Sequence, residues 1–328
     1  VWLGHFDKVE RKGGTMKTLL SAAVAALLSV STAYADWAPK GPIKVLIGFQ
    51  AGGGADTMAR LIAEDLNTEY GWSVLPENIT GAGGAVMARQ LKASPADGLT
   101  IGLGITDTFA YGMLASRDPG YALDDFTFLA TLAGTQMGIV AKSERGWTTM
   151  SDVIEAAKSG TKISFGSMTP RLADGAYYIG KVNGVDFNVV SSYKGGKDVL
   201  NAVNAADIDV GWVAGPQAAG VIAGDLVNLA NGEDQPLRAS PDAQMLKDIG
   251  VDFFFGATFV AVASSGIPED AKTALSDAIA AVVQKDGSKS NAFINKAFAL
   301  KVKIGSEAQD YVARELSDAQ ALLEATAN

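Results

Sequence analysis

The sequence predicts an α/β protein whose parallel sheets are covered by helices on both faces. Apolar runs of strand length alternate with segments that have the periodicity of amphipathic helices, as in successive strand–helix–strand units. Nothing repeats at periods of roughly 20 to 50 residues, and no low-complexity linker interrupts the chain. The expected strands span residues 43–49, 73–75, 100–103, 162–165, 208–213 and 226–230. Helix periodicity is clear at Thr57, Leu61, Ile62 and Leu66, and again at Val153, Ile154 and Ala157.

The sequence predicts an export signal at residues 16–35. Residues 16–35 combine a basic start, a short apolar run and the small-residue cleavage pattern Ala33-Tyr34-Ala35. The apolar run is too short to cross a bilayer as a helix. We therefore expect residues 1–15 to be an extension upstream of the natural start, residues 16–35 to be a signal peptide, and the mature periplasmic chain to begin at Asp36.

Composition excludes several classes of function. Residues 1–35 hold four of the 27 Lys and Arg residues and two of the 36 Asp and Glu residues, so the remainder has a formal net charge of −11. Because nucleic-acid binding depends on clustered Lys and Arg, we expect no nucleic-acid partner. The chain has no cysteine, and its single histidine, His5, precedes the expected mature start. Disulfides, Ser-His-Asp and Cys-His catalysis and the usual zinc sites are thereby excluded, whereas carboxylate or lysine catalysis and oxygen-ligated calcium survive.

The strand–glycine–helix turn of residues 43–60 is the richest local signal. An apolar strand runs into Gly52-Gly53-Gly54 and then into a helix, so backbone N–H groups and the positive helix end face outward. This predicts a place for an anion or carboxylate; the alternative is that the glycines only form a tight turn. A dinucleotide fingerprint fails because Thr57 stands where its third glycine should be. Asp56 fits a first-turn residue that complements the helix dipole.

A second turn of this kind follows the strand at 162–165. Ser167 and Thr169 can donate hydroxyl groups where the next helix begins, and Arg171 could hold a carboxylate through both guanidinium nitrogens. The alternative is that the hydroxyls are N-caps and Arg171 is a solvated surface residue.

Further turns carry polar groups and aromatic rings at strand ends. Residues 104–108 follow one strand, residues 193–197 precede a helix, and Trp212 ends another strand. Trp212, Phe49 and Tyr193 could wall a pocket, although aromatic residues at such positions also serve plain packing. Asp207 and Asp209 lack the spacing and the glycine of a calcium loop, so we expect no metal and no cofactor.

A fresh set of strands and helices begins near residues 144–147, and a second apolar stretch at 253–263 precedes a helical tail. We therefore expect two lobes, joined by crossovers near 137–141 and 254–258, with a cleft between them. The expected boundaries are residues 36–138 plus 257–328 for the first lobe and 139–256 for the second.

From about Pro42 to Leu323, the chain resembles the periplasmic solute-binding proteins of tripartite tricarboxylate transporters, the TctC or Bug receptors. The similarity is carried by a series of motifs in the same order as in that family. These are the glycine loop at 52–56, Glu77-Asn78 with Gly81-Ala82-Gly83-Gly84, the turn Pro95-Ala96-Asp97-Gly98-Leu99-Thr100, Tyr121 with Asp125-Phe126-Thr127, Tyr193-Lys194-Gly195-Gly196, and Asp209-Val210-Gly211.

The resemblance implies a type II periplasmic binding fold, with two lobes, a central cleft and two hinge crossovers, that closes on a small carboxylate such as a di- or tricarboxylate. It implies a receptor without catalytic residues, expected to be a monomer, that delivers its ligand to the membrane permease subunits of the transporter. The family's binding positions correspond here to Phe49, Ala51, Gly53, Asp56, Thr57, Thr106, Thr108, Ser167, Met168, Thr169, Tyr193, Lys194, Gly195 and Gly196. Arg171 and Trp212 are added as candidates because of their places in the second turn and at a strand end, as described above.

This chain departs from the family pattern in its second lobe. Pro170-Arg171-Leu172 stands where relatives often have a histidine–leucine pair, Ser192 replaces the usual proline, and Leu99 replaces a common tyrosine. The distal end of the ligand is the part that these changes affect. Two alternatives to a transport receptor stay open: a ligand sensor of the same fold, and an enzyme in the cleft that uses a carboxylate or Lys194 as base.

Overall fold

The computed structural model describes residues 1–2, 4 and 37–327. The chain divides into the compact units Val1–Asp36 and Trp37–Asn328, and every helix and strand described below belongs to the second unit. The predicted signal peptide lies outside the described residues, as does the predicted upstream extension apart from Val1, Trp2 and Gly4.

The described chain forms eleven strands and eleven α-helices. The strands are β1 (Ile43–Ile47), β2 (Val74–Asn78), β3 (Thr100–Ile105), β4 (Phe126–Gly134), β5 (Met137–Lys142), β6 (Ser164–Gly166), β7 (Asn188–Val190), β8 (Val210–Ala214), β9 (Leu226–Asn231), β10 (Thr258–Ser264) and β11 (Ala299–Ile304). The helices are α1 (Gly54–Tyr70), α2 (Ala85–Lys92), α3 (Thr106–Phe109), α4 (Tyr111–Leu114), α5 (Met150–Lys158), α6 (Pro170–Asn183), α7 (Gly196–Asn204), α8 (Ala218–Ala223), α9 (Glu269–Gln284), α10 (Lys289–Ala297) and α11 (Gly305–Ala327). None of these helices is both long and apolar enough to cross a membrane.

The strands form two mixed sheets, one in each lobe. The six-stranded sheet of the first lobe has the order β2-β1-β3-β10-β4-β11, and the five-stranded sheet of the second has the order β7-β6-β8-β5-β9. The α/β class predicted from the sequence is confirmed, but the expectation of purely parallel sheets is not. Strand β10 runs antiparallel to both β3 and β4, and β5 runs antiparallel to β8 and β9. These are the strands that follow the chain's passages between lobes, where no crossover helix sets a parallel direction.

The chain passes from the first sheet to the second between β4 and β5 and returns between β9 and β10. The two passages are tied together. Thr135 donates its backbone N–H to the Ala257 carbonyl and accepts the Ala257 N–H at its hydroxyl, both at 2.8 Å. Glu233 then accepts the Thr135 hydroxyl at 2.8 Å and the Met137 N–H at 2.7 Å through one carboxylate oxygen. The predicted residue boundaries of the lobes stay a prediction; β5 already pairs in the second sheet from Met137 onward.

Each lobe has its own apolar core, and the last helix contributes to both. Ala308 and Val312, in the first half of α11, are buried in a first-lobe cluster with Phe109 and Phe128. Ala319 and Leu322, near its end, are buried in the second-lobe cluster around Trp212. Helix α11 therefore connects the lobes in addition to the two chain passages.

Candidate ligand-binding site

Helix α1 begins at the cleft without a side-chain cap. Strand β1 leads into Gly52, whose φ of +73° lies in the left-handed region that favours glycine. Gly53, the N-cap residue, has no side chain to accept the N–H groups of the first helical turn. Because these groups have no partner within a helix, they remain available to an anion.

Asp56 holds this loop in place. Its Oδ2 accepts the Gly52 N–H at 2.8 Å, and its Oδ1 accepts Arg60 Nε and Asn78 Nδ2, both at 2.9 Å. Asn78 also donates to the Phe49 carbonyl at 2.9 Å, so the loop is fixed on both sides. Burial opposes the charge of Asp56, but hydrogen bonds from Arg60, Gly52 and Asn78 outweigh it and hold the pKa of Asp56 below its usual value. The carboxylate is thus committed to support of the glycine loop.

The second lobe presents a matching helix start. Helix α7 begins at Gly196 with Gly195 as an N-cap that also lacks a side chain. The two helix starts approach each other across the cleft. A Cβ added at Gly195 would lie 3.4 Å from Gln50 Cγ, and one at Gly52 would lie 2.8 Å from Lys197 Nζ. Two uncapped helix N-termini from opposite lobes therefore meet at the same place.

A cavity lies directly at these two helix starts, with an empty volume of about 600 Å³ that includes its part open to solvent. We call it the cleft cavity. Its lining is mostly apolar and comes from both lobes. The lining residues are Phe49, Gln50, Gly53, Gly54, Ala55, Ile105, Asp107, Thr135, Met137, Met168, Thr169, Leu172, Gly195, Gly196, Lys197, Ala214, Pro216, Ala257, Phe259 and Phe298.

A buried ion pair closes one side of the cleft cavity. Arg171 Nη1 donates to Asp107 Oδ1 at 2.8 Å, and the same guanidinium donates to the backbone carbonyls of Phe254 at 2.7 Å and Gly256 at 3.3 Å. Burial opposes the charge of Arg171, but the neighbouring Asp107 carboxylate raises its pKa above the usual value. The Thr169 hydroxyl caps α6 by accepting the Leu172 N–H at 3.3 Å and lies 3.5 Å from Asp107 Oδ2.

The structure brings together only part of the set of residues predicted from the sequence. Six of them line the cleft cavity: Phe49, Gly53, Met168, Thr169, Gly195 and Gly196. Tyr193 and Lys194 line an adjoining opening that shares Phe49, Met168 and Thr169 with the cleft cavity. Ala51 is exposed on the glycine loop, and Thr57 donates its N–H to the Gly53 carbonyl in the first turn of α1.

The remaining predicted residues are buried behind this lining. Thr106 accepts the Thr258 N–H at 3.2 Å, and Thr108 donates to the Gly83 carbonyl at 2.7 Å. Ser167 is fully buried, and its hydroxyl has no hydrogen-bond partner among the described atoms. Trp212 is also fully buried and donates its indole N–H to the Leu172 carbonyl at 2.9 Å. Arg171 and Trp212 therefore support the cavity wall through Asp107 and Leu172.

Sequence reasoning did not select several residues of the lining. Asp107 and Lys197 lie within the turns at residues 104–108 and 193–197, which the sequence had already indicated as polar turns at strand or helix ends. Their position in the chain could therefore have identified them as lining residues. Phe259 and Phe298 come from β10 and from the residue before β11, far along the chain. Their rings pack edge to face at 4.9 Å only because the fold returns both segments to the first lobe.

Comparisons with known proteins agree with this geometry. The sequence profile of the tripartite tricarboxylate transporter family receptor matches residues 58–315. A UPF0065 protein from the gbd 5' region of Cupriavidus necator is 27% identical over 267 residues, which are 79% of this chain and 80% of that protein. The solved periplasmic binding protein BugD has a TM-score of 0.77 at 21% identity, covering 88% of this chain and 99% of its own. An R. palustris protein solved with adipate has a TM-score of 0.80 at 22% identity, covering 89% and 99%. These structures show that the two-lobed periplasmic binding fold is shared.

Proposed function

The chain belongs to the tripartite tricarboxylate transporter receptor family, and we propose that it is an extracytoplasmic receptor that captures a small carboxylate and delivers it to the membrane permease of such a transporter. The observation that carries the proposal is the meeting of two uncapped glycine helix starts, at Gly53 and Gly195, in one cavity between the lobes. The adipate seen in the R. palustris protein of the same fold supports the ligand class.

A carboxylate in the cleft cavity would accept N–H groups from the first turns of α1 and α7. Both helix dipoles favour negative charge at this point. Each hydrogen bond to a charged group contributes roughly 1.5 to 3 kcal/mol, and micromolar affinity needs about 8 kcal/mol. Four to six such donors therefore suffice after ordering costs. The net charge of the expected mature chain does not oppose this, because it is screened beyond about 8 Å whereas the N–H groups act at contact.

The predicted site residues divide into two roles under this proposal. Phe49, Gly53, Met168, Thr169, Gly195 and Gly196 face the ligand directly. Ala51, Asp56, Thr57, Thr106, Thr108, Ser167, Tyr193, Lys194, Arg171 and Trp212 shape the loops and the wall around it. Closure is part of the proposal because Gln50 and Gly195 come together over the cavity from opposite lobes.

We propose no reaction at this site. Of the residues that line the cleft cavity, Asp107 is the one acid, and its Oδ1 is occupied by Arg171. A general base would need an available lone pair facing the substrate, and a pair of acids would be needed for carboxylate acid–base work. Turnover of any carboxylate by the purified protein would revive the enzyme alternative, and loss of uptake on deletion of the gene would favour transport over sensing.

A thermal-shift panel of mono-, di- and tricarboxylates, aromatic acids and amino acids tests the proposal. A ligand at 100 times its dissociation constant adds roughly 2.7 kcal/mol to the free energy of unfolding. We expect at least one acid to raise the midpoint and its uncharged amide to leave it unchanged. If no carboxylate shifts the midpoint, the binding function is wrong.

A matched pair of glycine variants locates the site. Gly195→Val is free of backbone strain because its φ of 168° is extended, but its side chain enters the cleft cavity beside Gln50. Gly41→Val adds the same side chain where the nearest atom, in Leu99, is 4.0 Å from the added Cβ. We expect the first to abolish the ligand-induced shift and the second to keep it. Equal responses would place the site elsewhere.

A further inference from the structure

The wall of the cleft cavity beyond the two helix starts is built from apolar side chains. Ile105, Met137, Leu172, Phe259 and Phe298 line it, and each is buried. Phe298 lies directly beneath the α1 helix start, because a Cβ added at Gly54 would come within 2.7 Å of its ring. A ligand whose carboxylate occupies the helix start therefore places its next atoms against this aromatic wall.

The charged groups of the lining offer a second carboxylate no cationic partner away from the rim. Among the described residues that line the cavity, these groups are Asp107 and Lys197. Lys197 is exposed at the rim beside Gly52, close to where the first carboxylate sits. Asp107 is negative, and the terminal nitrogens of Arg171 donate to Asp107 and to the carbonyls of Phe254 and Gly256. A carboxylate at the far end would lose its hydration, would find neutral donors such as the Thr169 hydroxyl but no cation, and would face another acid.

From this distribution we infer that the cavity takes a monocarboxylate with an apolar body in preference to a di- or tricarboxylate. The inference rests on the proposed function and narrows its ligand class. An apolar body gains affinity by burying its surface against the wall, and a single carboxylate satisfies the donors at the helix starts. A second charge adds a desolvation cost that no cation of the lining offsets away from the rim.

Calorimetric titration with matched pairs of acids tests the inference on the unmodified protein. The pairs are benzoate against terephthalate and hexanoate against adipate, which share a body and differ by one carboxylate. We expect the monoacid of at least one pair to bind about 100-fold more tightly than its diacid, the factor that leaving a charged group unpaired commonly produces. Equal or tighter binding of both diacids would overturn the inference and leave the proposed function standing. Failure of all four acids, together with a flat thermal-shift panel, would overturn both.

The variant Phe298→Leu tests the wall itself. It shortens the aromatic side chain and keeps an apolar residue in the core, so the fold is retained. We expect affinity for benzoate to fall about tenfold and affinity for formate, which has no carbon beyond its carboxylate, to change by less than about twofold. An equal loss for both acids would show that Phe298 acts on the helix start and not on the ligand body, and would overturn the assignment of the wall.

Discussion

Two cavities meet at the Asp107–Arg171 ion pair, and they differ in the charge they present. The cleft cavity is lined mainly by apolar side chains and backbone groups, with Asp107 on its side of the pair. The second, which we call the hinge cavity, has an empty volume of about 1060 Å³ and contains Arg171. Its other lining residues are Gly134, Glu233, Asp234, Asp252, Phe253, Phe254, Gly256, Ala257, Thr258, Lys301, Tyr311, Glu315, Asp318 and Ala321.

The contrast is consistent with the proposed anion site in a protein of negative net charge. Side-chain charge is concentrated in the hinge cavity, where acids outnumber the two bases Arg171 and Lys301. The cleft cavity relies on backbone N–H groups, which act at contact and carry no net charge. Under the proposed function, the hinge cavity would repel a carboxylate and the cleft cavity would accommodate it. The ion pair separates the two environments, and four substitutions test that separation, from the largest expected effect to the smallest.

Substitution of Asp107 alone removes the ion pair that separates the two cavities. In Asp107→Ala, Arg171 stays buried without its counter-charge, so we expect the free energy of unfolding to fall by about 3 to 5 kcal/mol. The double variant Asp107→Ala with Arg171→Met removes both charges and should regain most of this loss. Urea denaturation at neutral pH measures both. A double variant that is no more stable than the single one would mean that the two side chains do not act as a pair.

Glu233 makes the hinge cavity sensitive to pH. Burial raises its pKa to about 7, although hydrogen bonds from Met137 and Thr135 favour the charged form. An acid whose pKa is raised on folding stabilises the folded state most below its unfolded pKa, and this contribution is lost as pH rises through the folded pKa. We expect the free energy of unfolding to fall by roughly 3 kcal/mol between pH 4.5 and pH 8 on account of Glu233.

The variant Glu233→Gln isolates that contribution, since glutamine keeps an oxygen acceptor for Met137 and Thr135. It should flatten the decline in stability over this pH range, as measured by urea denaturation at each pH. Another exposed acid of the hinge cavity gives the control, Asp252→Asn, which should leave the slope in place. A slope that persists in Glu233→Gln would assign the titration to another acid of the hinge cavity.

Substitution of Asp56 tests how much the glycine loop of the cleft cavity contributes to binding. In Asp56→Asn, the amide cannot accept all the N–H donors that the carboxylate accepts from Gly52, Arg60 and Asn78. The glycine loop should loosen and affinity for the best-binding acid should fall about five- to tenfold, or roughly 1 kcal/mol. Calorimetric titration gives the affinity.

The control for Asp56 is Asp152→Asn. Asp152 accepts backbone N–H groups of Thr148 and Thr149 where α5 begins, so it supports a turn in the same way as Asp56. It does not line the cleft cavity. This variant should lose stability and retain affinity. A loss of affinity as large as that of Asp56→Asn would mean that general destabilisation, not the loop, explains the effect.

Lys197 gives the smallest expected effect. Its ammonium is exposed at the rim of the cleft cavity, where solvent and salt screen it. Lys197→Gln should weaken binding by about twofold or less, and Lys194→Gln should have an effect of the same size.

The rate of ligand association with the unmodified protein, measured by stopped flow, should change little, or rise, with added salt. A rate that drops steeply with salt would show that a basic funnel, not the backbone groups, guides the ligand.

Sequence reasoning reached the fold class and the helix start after Gly52-Gly53-Gly54 because those signals are local. A strand followed by Gly52-Gly53-Gly54 and a helix places N–H groups at a strand end whatever surrounds it. Arg171 shows where local reasoning stops. Its partner Asp107 lies 64 residues earlier in the chain, so nothing near Arg171 indicated that its charge was already compensated. Phe259 and Phe298 are likewise brought together only by the return of the chain to the first sheet.

Helix α11 has a consequence for how the two lobes can move. Two adjacent chain passages on their own would leave the lobes free to bend and also to twist about one another. Helix α11 is buried in the first-lobe core at Val312 and in the second-lobe core at Leu322. A helix held at both ends in this way resists twisting of the lobes and leaves bending as the softer motion. If the cleft opens as proposed, the packing of α11 on α6 would change with it. The free energy of closure would then depend on both the ligand contacts and the packing of the last helix.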